Sequence, residues 1–206
     1  MYSAGDDMFN KKAKTSFSDK RIKKEIANGE GVTLVRVNVC TPEIRSTSHR
    51  DPLLRHAAPF YASVSDTLCE CAGDSVRAAA AAAFASGRTV PFAVTCGWRL
   101  ALLDESFASV VLEIGFYDGM KNTKELRAQV WERTRGQRLS FSDLFTRPAR
   151  DLVGSLAPDG GRGYDPELFA LTETGCEFFF RLPDGTYTAA EVSGEELTKF
   201  MKKRDF

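Results

Sequence analysis

The chain has 206 residues, 43% of them apolar and 27% charged, which excludes a disordered, collagen-like or coiled-coil protein. Its 28 basic and 28 acidic residues cancel, which argues against a protein that tracks nucleic acid by counterion release. A chain this long buries roughly 70% of its unfolded surface, enough for a substantial core.

No window reaches the ~20 consecutive apolar residues that span a bilayer. Residues 1–10 carry Asp6 and Asp7 and lack the apolar core of a signal peptide. As written, the sequence implies a cytoplasmic protein; a missing export signal would place it in the cell envelope or outside the cell. Five cysteines, Cys40, Cys69, Cys71, Cys96 and Cys176, are an odd number and are expected to be reduced thiols.

Residues 1–31 form a basic N-terminal arm with Lys11, Lys12, Lys14, Lys20, Arg21, Lys23 and Lys24. Ser18 or Asp19 can cap a short helix with Ile22 and Ile26 on one face, stopped by Asn28-Gly29. Such an arm either touches a membrane or partner or is simply solvated, and the solvated state is the expectation. A strand starts at Val32, with Thr33, Val35, Val37 and Val39 on one face, and closes at Thr41-Pro42. Residues 45–59, with Pro52 and Pro59, read as a loop. An apolar stripe through Phe60, Val64, Leu68, Val76 and Ala83 then predicts a helix over 60–85, with a kink at Gly73 and a stop at Gly87.

Beyond the helix the period changes to two. Val90, Phe92, Val94, Cys96, Trp98 and Leu100 alternate, and Val110, Leu112, Ile114 and Phe116 follow across the turn Asp104-Glu105-Ser106, which makes a hairpin. A third run places Leu126, Ala128 and Val130 inward, with Arg127, Trp131 and Arg133 outward, and ends at Arg135-Gly136. Ser140 caps a helical turn with Asp143 three residues on, and Pro148 opens a second short helix. Asp159–Gly163 is a loop. Strands around Phe169–Leu171, Cys176–Leu182 and Tyr187–Val192 and a helix from Gly194 to Lys202 close the chain, with Pro183-Asp184-Gly185 as a turn. The fold class is α+β: an antiparallel sheet packed against one long helix, with a smaller C-terminal strand-helix part.

Chemical signatures are few. The nucleophile elbow, the phosphate-binding loop and the His-Glu-x-x-His pair are all missing. His49, His56, Cys69 and Cys71 are the sole conceivable soft-metal set, yet two thiols two residues apart on a helix point about 200° apart. No metal or cofactor is expected. Asp104, Glu105 and Asp143 are the carboxylates available for acid–base work, though each has a ready explanation in a turn or a cap. The outward face of the third strand is the candidate ligand-binding surface, because Trp131 flanked by Arg127 and Arg133 has the composition of a binding hot spot. A second layer over that face would remove it from contention.

Gly136-Gln137-Arg138-Leu139-Ser140-Phe141-Ser142-Asp143-Leu144-Phe145 resembles a stretch of the RsiV-like family, a domain of unknown function. Phe169-Ala170-Leu171-Thr172, Gly175, Phe178 and Phe180 resemble a second stretch, and Glu191 to Leu197 is similar to the family's end. The resemblance divides the chain into the arm (1–31), a strand-helix-hairpin part (32–122) and an RsiV-like C-terminal part (123–206) of one compact unit. It implies an α+β domain without a catalytic centre. Relatives form the outer part of anti-sigma factors, one type of which senses lysozyme, or precede polysaccharide deacetylase domains. The family's Gly-Gly-Ala-His stretch is replaced here by Phe116-Tyr117-Asp118-Gly119-Met120, so that histidine's role does not carry over. The resulting expectation is a non-enzymatic binding or sensory domain for a protein or cell-envelope glycan. The alternative is a small carboxylate-dependent hydrolase acting on envelope glycan.

Overall fold

A computed structural model describes residues 14–158 and 164–202. The loop expected at Asp159–Gly163 and the lysines Lys11 and Lys12 lie outside the described residues.

The basic stretch is a strand, not a helix. β1 (Thr15–Ala27) pairs antiparallel with β2 (Thr33–Ser46) along its whole length. Ile22 and Ile26 are four apart, a spacing that serves a period of two as well as 3.6, so two residues could not decide between them. The β1–β2 turn is closed by Asn28, whose Oδ1 accepts from the amides of Glu30 and Val32 at 3.0 and 2.9 Å. β2 runs past the expected stop at Pro42. Its last pair with β3 (Phe92–Leu103) is Val39–Cys96, so Pro42 lies where β3 has already departed.

The helix starts eight residues earlier than expected. α1 (Pro52–Cys71) has Pro52 in its first turn and Asp51 as its cap, with Asp51 Oδ1 accepting from the Leu53 amide at 2.9 Å. Pro59 sits on its exposed side. A π-helical turn over Ala72–Val76 then interrupts the helix at Gly73, where the kink was expected, before α2 (Arg77–Ala85).

β3 forms the expected hairpin with β4 (Phe107–Tyr117), followed by β5 (Asn122–Glu132) and the short β6 (Gln137–Leu139). The described residues build a six-stranded sheet in the order β1-β2-β3-β4-β5-β6. It is antiparallel except for β2–β3, which the helix joins in parallel. β5 and β6, assigned from sequence to the C-terminal part, thus complete the large sheet. Α1 covers one face: Leu53, Ala57, Tyr61, Val64 and Leu68 pack on Val35, Val39, Val94, Val110, Leu112 and Ile114.

The other face of β4 and β5 meets a three-stranded sheet of β7 (Tyr164–Leu171), β8 (Gly175–Arg181) and β9 (Tyr187–Ser193). There Val111, Leu126 and Ala128 pack against Ala170 and Phe179. A second core gathers around α3 (Phe141–Leu144), α4 (Arg147–Leu156) and α5 (Gly194–Thr198). The expected capping box is formed: Asp143 Oδ2 accepts from the Ser140 amide at 2.8 Å, while Ser140 Oγ accepts from the Asp143 amide at 3.2 Å. Α5 is shorter than expected, and Met201 instead bridges to Phe145.

Candidate binding cleft at the start of helix α1

Both faces of the third hairpin strand are covered near its end, which overturns the exposed face expected there. Trp131 is 5% exposed and lies under α1. Its indole N–H donates to Tyr61 Oη at 2.9 Å, and its ring meets Phe60 edge-on at 5.6 Å between centroids. The register explains this: Trp131 pairs with Ala108 and Gln129 with Val110, so the supposed outward face is the helix side. Leu126 and Ala128 point instead to the small sheet. Arg127 remains exposed on β5, paired with Glu125 at 2.6 Å. Six residues of extended chain separate it from Arg133, about 20 Å, so the three predicted residues do not form one site.

Arg133 does enter a site. Immediately after β5, it lies where four chain segments converge: the start of β1, the end of β2, the β3–β4 turn and the β5–β6 turn. A cleft of about 460 Å³ opens there, lined by Thr15, Ser48, Arg50, Asp51, Pro52, Glu105, Arg133 and Thr134. One guanidinium nitrogen of Arg133 donates to the Asp104 carbonyl and another to Thr15 Oγ1 at 3.1 Å. Thr15 Oγ1 in turn donates to Asp51 Oδ2 at 2.6 Å. The amide of Arg133 donates to the Ser106 carbonyl at 2.8 Å. A long flexible side chain is thereby held in one orientation, so little rotamer entropy remains to be lost on binding.

Asp51 anchors the arrangement. Burial opposes its charge, but hydrogen bonds from Thr15, Ser46 and the Leu53 amide, with the charge of Arg133, outweigh it. The carboxyl is held below the usual carboxylate range. A general acid working near neutrality needs the opposite shift. Around this anchor the cleft offers guanidinium groups of Arg50 and Arg133, hydroxyls of Ser48 and Thr134, and the carboxylate of Glu105. Such a set recognises carboxylates, carbonyls and hydroxyls by directional hydrogen bonds.

The remaining sequence candidates have structural duties. Asp104 Oδ1 accepts from the amides of Ser106 and Phe107, both at 2.7 Å, closing the hairpin turn. Asp143 belongs to the capping box. His56 packs against Gly136, where a Cβ would come within 2.9 Å of its ring. Among the described residues, no group of three or more His, Cys, Asp or Glu is placed to hold a metal ion. Thr15, Ser48, Arg50 and Asp51 do not stand out in the sequence as site residues, because they lie in stretches with the texture of an arm and a loop. The Ser48-x-Arg50-Asp51-Pro52 pattern was the available signal, since Asp-Pro opens helices.

No protein-family model and no curated protein matches the sequence. Solved structures do match it. One is a member of the DUF3298 family from Bacteroides fragilis, with a TM-score of 0.68, 11% identity, and coverage of 92% of this chain and 94% of that one. Another is a DUF3298 family protein from Pseudomonas aeruginosa, with a TM-score of 0.57, 13% identity, and coverage of 94% and 96%. The chain has the DUF3298 fold. Near-complete coverage in both directions means that the sheet, the helix and the small C-terminal sheet are shared as one architecture. No helix among the described residues is long and apolar enough to cross a membrane.

Proposed function

We propose that this chain is a non-enzymatic binding or sensory domain of the RsiV-like type, which recognises a protein or cell-envelope glycan through the cleft around Arg133. The observation that carries this reading is the fixed donor array: Arg133 tethered to Thr15 and the Asp104 carbonyl, with Arg50 beside it, at the convergence of four segments. Binding hot spots are enriched in arginine held in this way. The lowered pKa of Asp51, with both of its oxygens engaged, supports a binding role over general-acid catalysis. On this reading the protein works in the cell envelope, where both proposed ligand classes occur.

The test is direct binding of purified protein to peptidoglycan sacculi by co-sedimentation and to hen lysozyme by interferometry. Arg50→Ala and Arg133→Lys are compared with wild type. Arg50 is exposed, so its loss is expected to leave the melting temperature unchanged while weakening capture tenfold or more, the usual hot-spot range. Arg133→Lys keeps the charge and removes the planar fork that bonds Thr15 and the Asp104 carbonyl, and is expected to weaken capture to a similar extent. Absence of saturable binding to either probe, or capture indifferent to both substitutions, would overturn the assignment.

A further inference from the structure

The strand register lays out a second surface, away from the cleft. On the sheet face opposite α1, Lys23, Asn38, Thr95, Gly115 and Lys124 are successive partners from β1 to β5. Gly97, Glu113 and Leu126 form the next row. The small sheet buries Val111 but leaves Leu126 and Ala128 half-buried and Asn38, Thr95 and Gly97 exposed. Small side chains in the middle of these rows, with longer ones around them, make a trough. One depression of about 460 Å³ is lined by Asn38, Thr95, Gly97, Trp98, Leu126 and Phe179, among others. A second, of about 470 Å³, shares Asn38 and is lined by Lys23, Lys24, Glu25 and Arg36. From β1 to β5 the trough spans four strand spacings, about 19 Å.

Charge and polarity differ between its two ends. At the β1 end, Glu25 is bound by Arg36 at 3.1 Å and by the Thr33 hydroxyl at 3.0 Å, so Lys23 is a cation in excess, whereas Lys24, opposite the buried Val37, belongs to the α1 side. At the β5 end the charges cancel: Lys124 meets Glu113 at 2.7 Å, and Arg99 meets Glu177 while stacking over Phe179. What remains there is apolar, the half-buried Leu126 with the edges of Val111 and Phe179. An apolar pocket of ligand size with a cationic mouth selects for molecules with the complementary polarity.

We infer that this trough binds a soluble amphipathic anion, its acyl or aromatic body against Leu126 and Phe179 and its carboxylate, sulfonate or phosphate head at Lys23. The test uses 8-anilinonaphthalene-1-sulfonate as probe and N-phenyl-1-naphthylamine as its neutral counterpart, both read by fluorescence, with monomeric dodecanoate as competitor. Gly97→Phe fills the floor. A Cβ there meets no atom within 4 Å and the residue is not among the glycines with positive φ, so the fold accepts it. Saturable binding of the sulfonate, displaced by dodecanoate, is expected for wild type, with a tenfold or greater loss of both probes in Gly97→Phe. Lys23→Glu, at an exposed position, is expected to weaken the sulfonate at least fivefold and to spare the neutral probe, and Lys24→Glu, on the opposite face, to change binding of neither. Arg50→Ala, in the cleft, is expected to change neither, which separates this site from that one. Sulfonate binding insensitive to Gly97→Phe, equal loss of both probes in Lys23→Glu, or flotation with phosphatidylglycerol vesicles without displacement by dodecanoate would overturn the proposal.

Discussion

Trp131 and Tyr61 provide the sharpest test of the packing between helix and sheet. Tyr61 is fully buried and Trp131 is 5% exposed, and they share one hydrogen bond of 2.9 Å. Removing the acceptor with Tyr61→Phe leaves the indole N–H buried without that partner, which costs about 1–3 kcal/mol. Trp131→Phe leaves the phenol without its donor and adds a cavity, so it costs at least as much. The double variant has no orphaned polar group across the contact. It should therefore cost less than the sum of the singles by about 1 kcal/mol or more. Trp131→Ala, which also loses most of a buried aromatic, should cost about 3–5 kcal/mol. Since a domain of this size is stable by about 5–15 kcal/mol, that variant should sit near the edge of folding. Urea titrations of wild type, both singles and the double measure the cycle through their midpoints at constant slope. Additivity to within about 0.3 kcal/mol, or a Trp131→Ala protein as stable as wild type, would refute the reasoning and return Trp131 to the surface.

Phe145→Ala should cost about 3–5 kcal/mol, because Phe145 is 2% exposed and packs on the rings of Phe141, Phe169 and Phe178; a melt matching wild type would contradict the second core. Gly73→Ala should stabilise by about 0.5–1 kcal/mol, since an added Cβ meets nothing within 4 Å in the π-turn; a lower melting temperature would show that the turn requires glycine. For Asp51 the native pKa lies below the unfolded one. Its contribution is therefore present above the unfolded value and lost as pH falls through the native value. Asp51→Asn should flatten the loss of stability in the acid range below about pH 4, and acid titrations of equal steepness would refute the link.

Local chemistry was legible wherever a few adjacent residues decide the outcome. The Ser140–Asp143 capping box, the Asp104 and Pro183-Asp184-Gly185 turns, the β3–β4 hairpin and the weak point at Gly73 each follow from contacts within about five residues. The helix stripe at 60–85 was also readable, although its start was hidden because prolines signal both loops and first turns. Alternation in β5 announced two faces correctly. It could not say which face meets the helix, because that depends on pairing with β4 and on a second sheet some forty residues downstream. Alternation alone therefore puts Trp131 on the wrong face.

The charged strand β1 hides its structure for a related reason: an edge strand pairs on one side alone and can keep its charges in water. The sequence by itself determined the α+β class, the long helix and the local turns, because propensity, capping and hydrophobic period are properties of neighbouring residues. The tertiary structure alone decided the sites. Thr15, Asp51, Glu105 and Arg133 meet only when the sheet brings its strand ends together, and the trough exists only because register aligns Lys23, Asn38, Thr95 and Gly115 across separate strands.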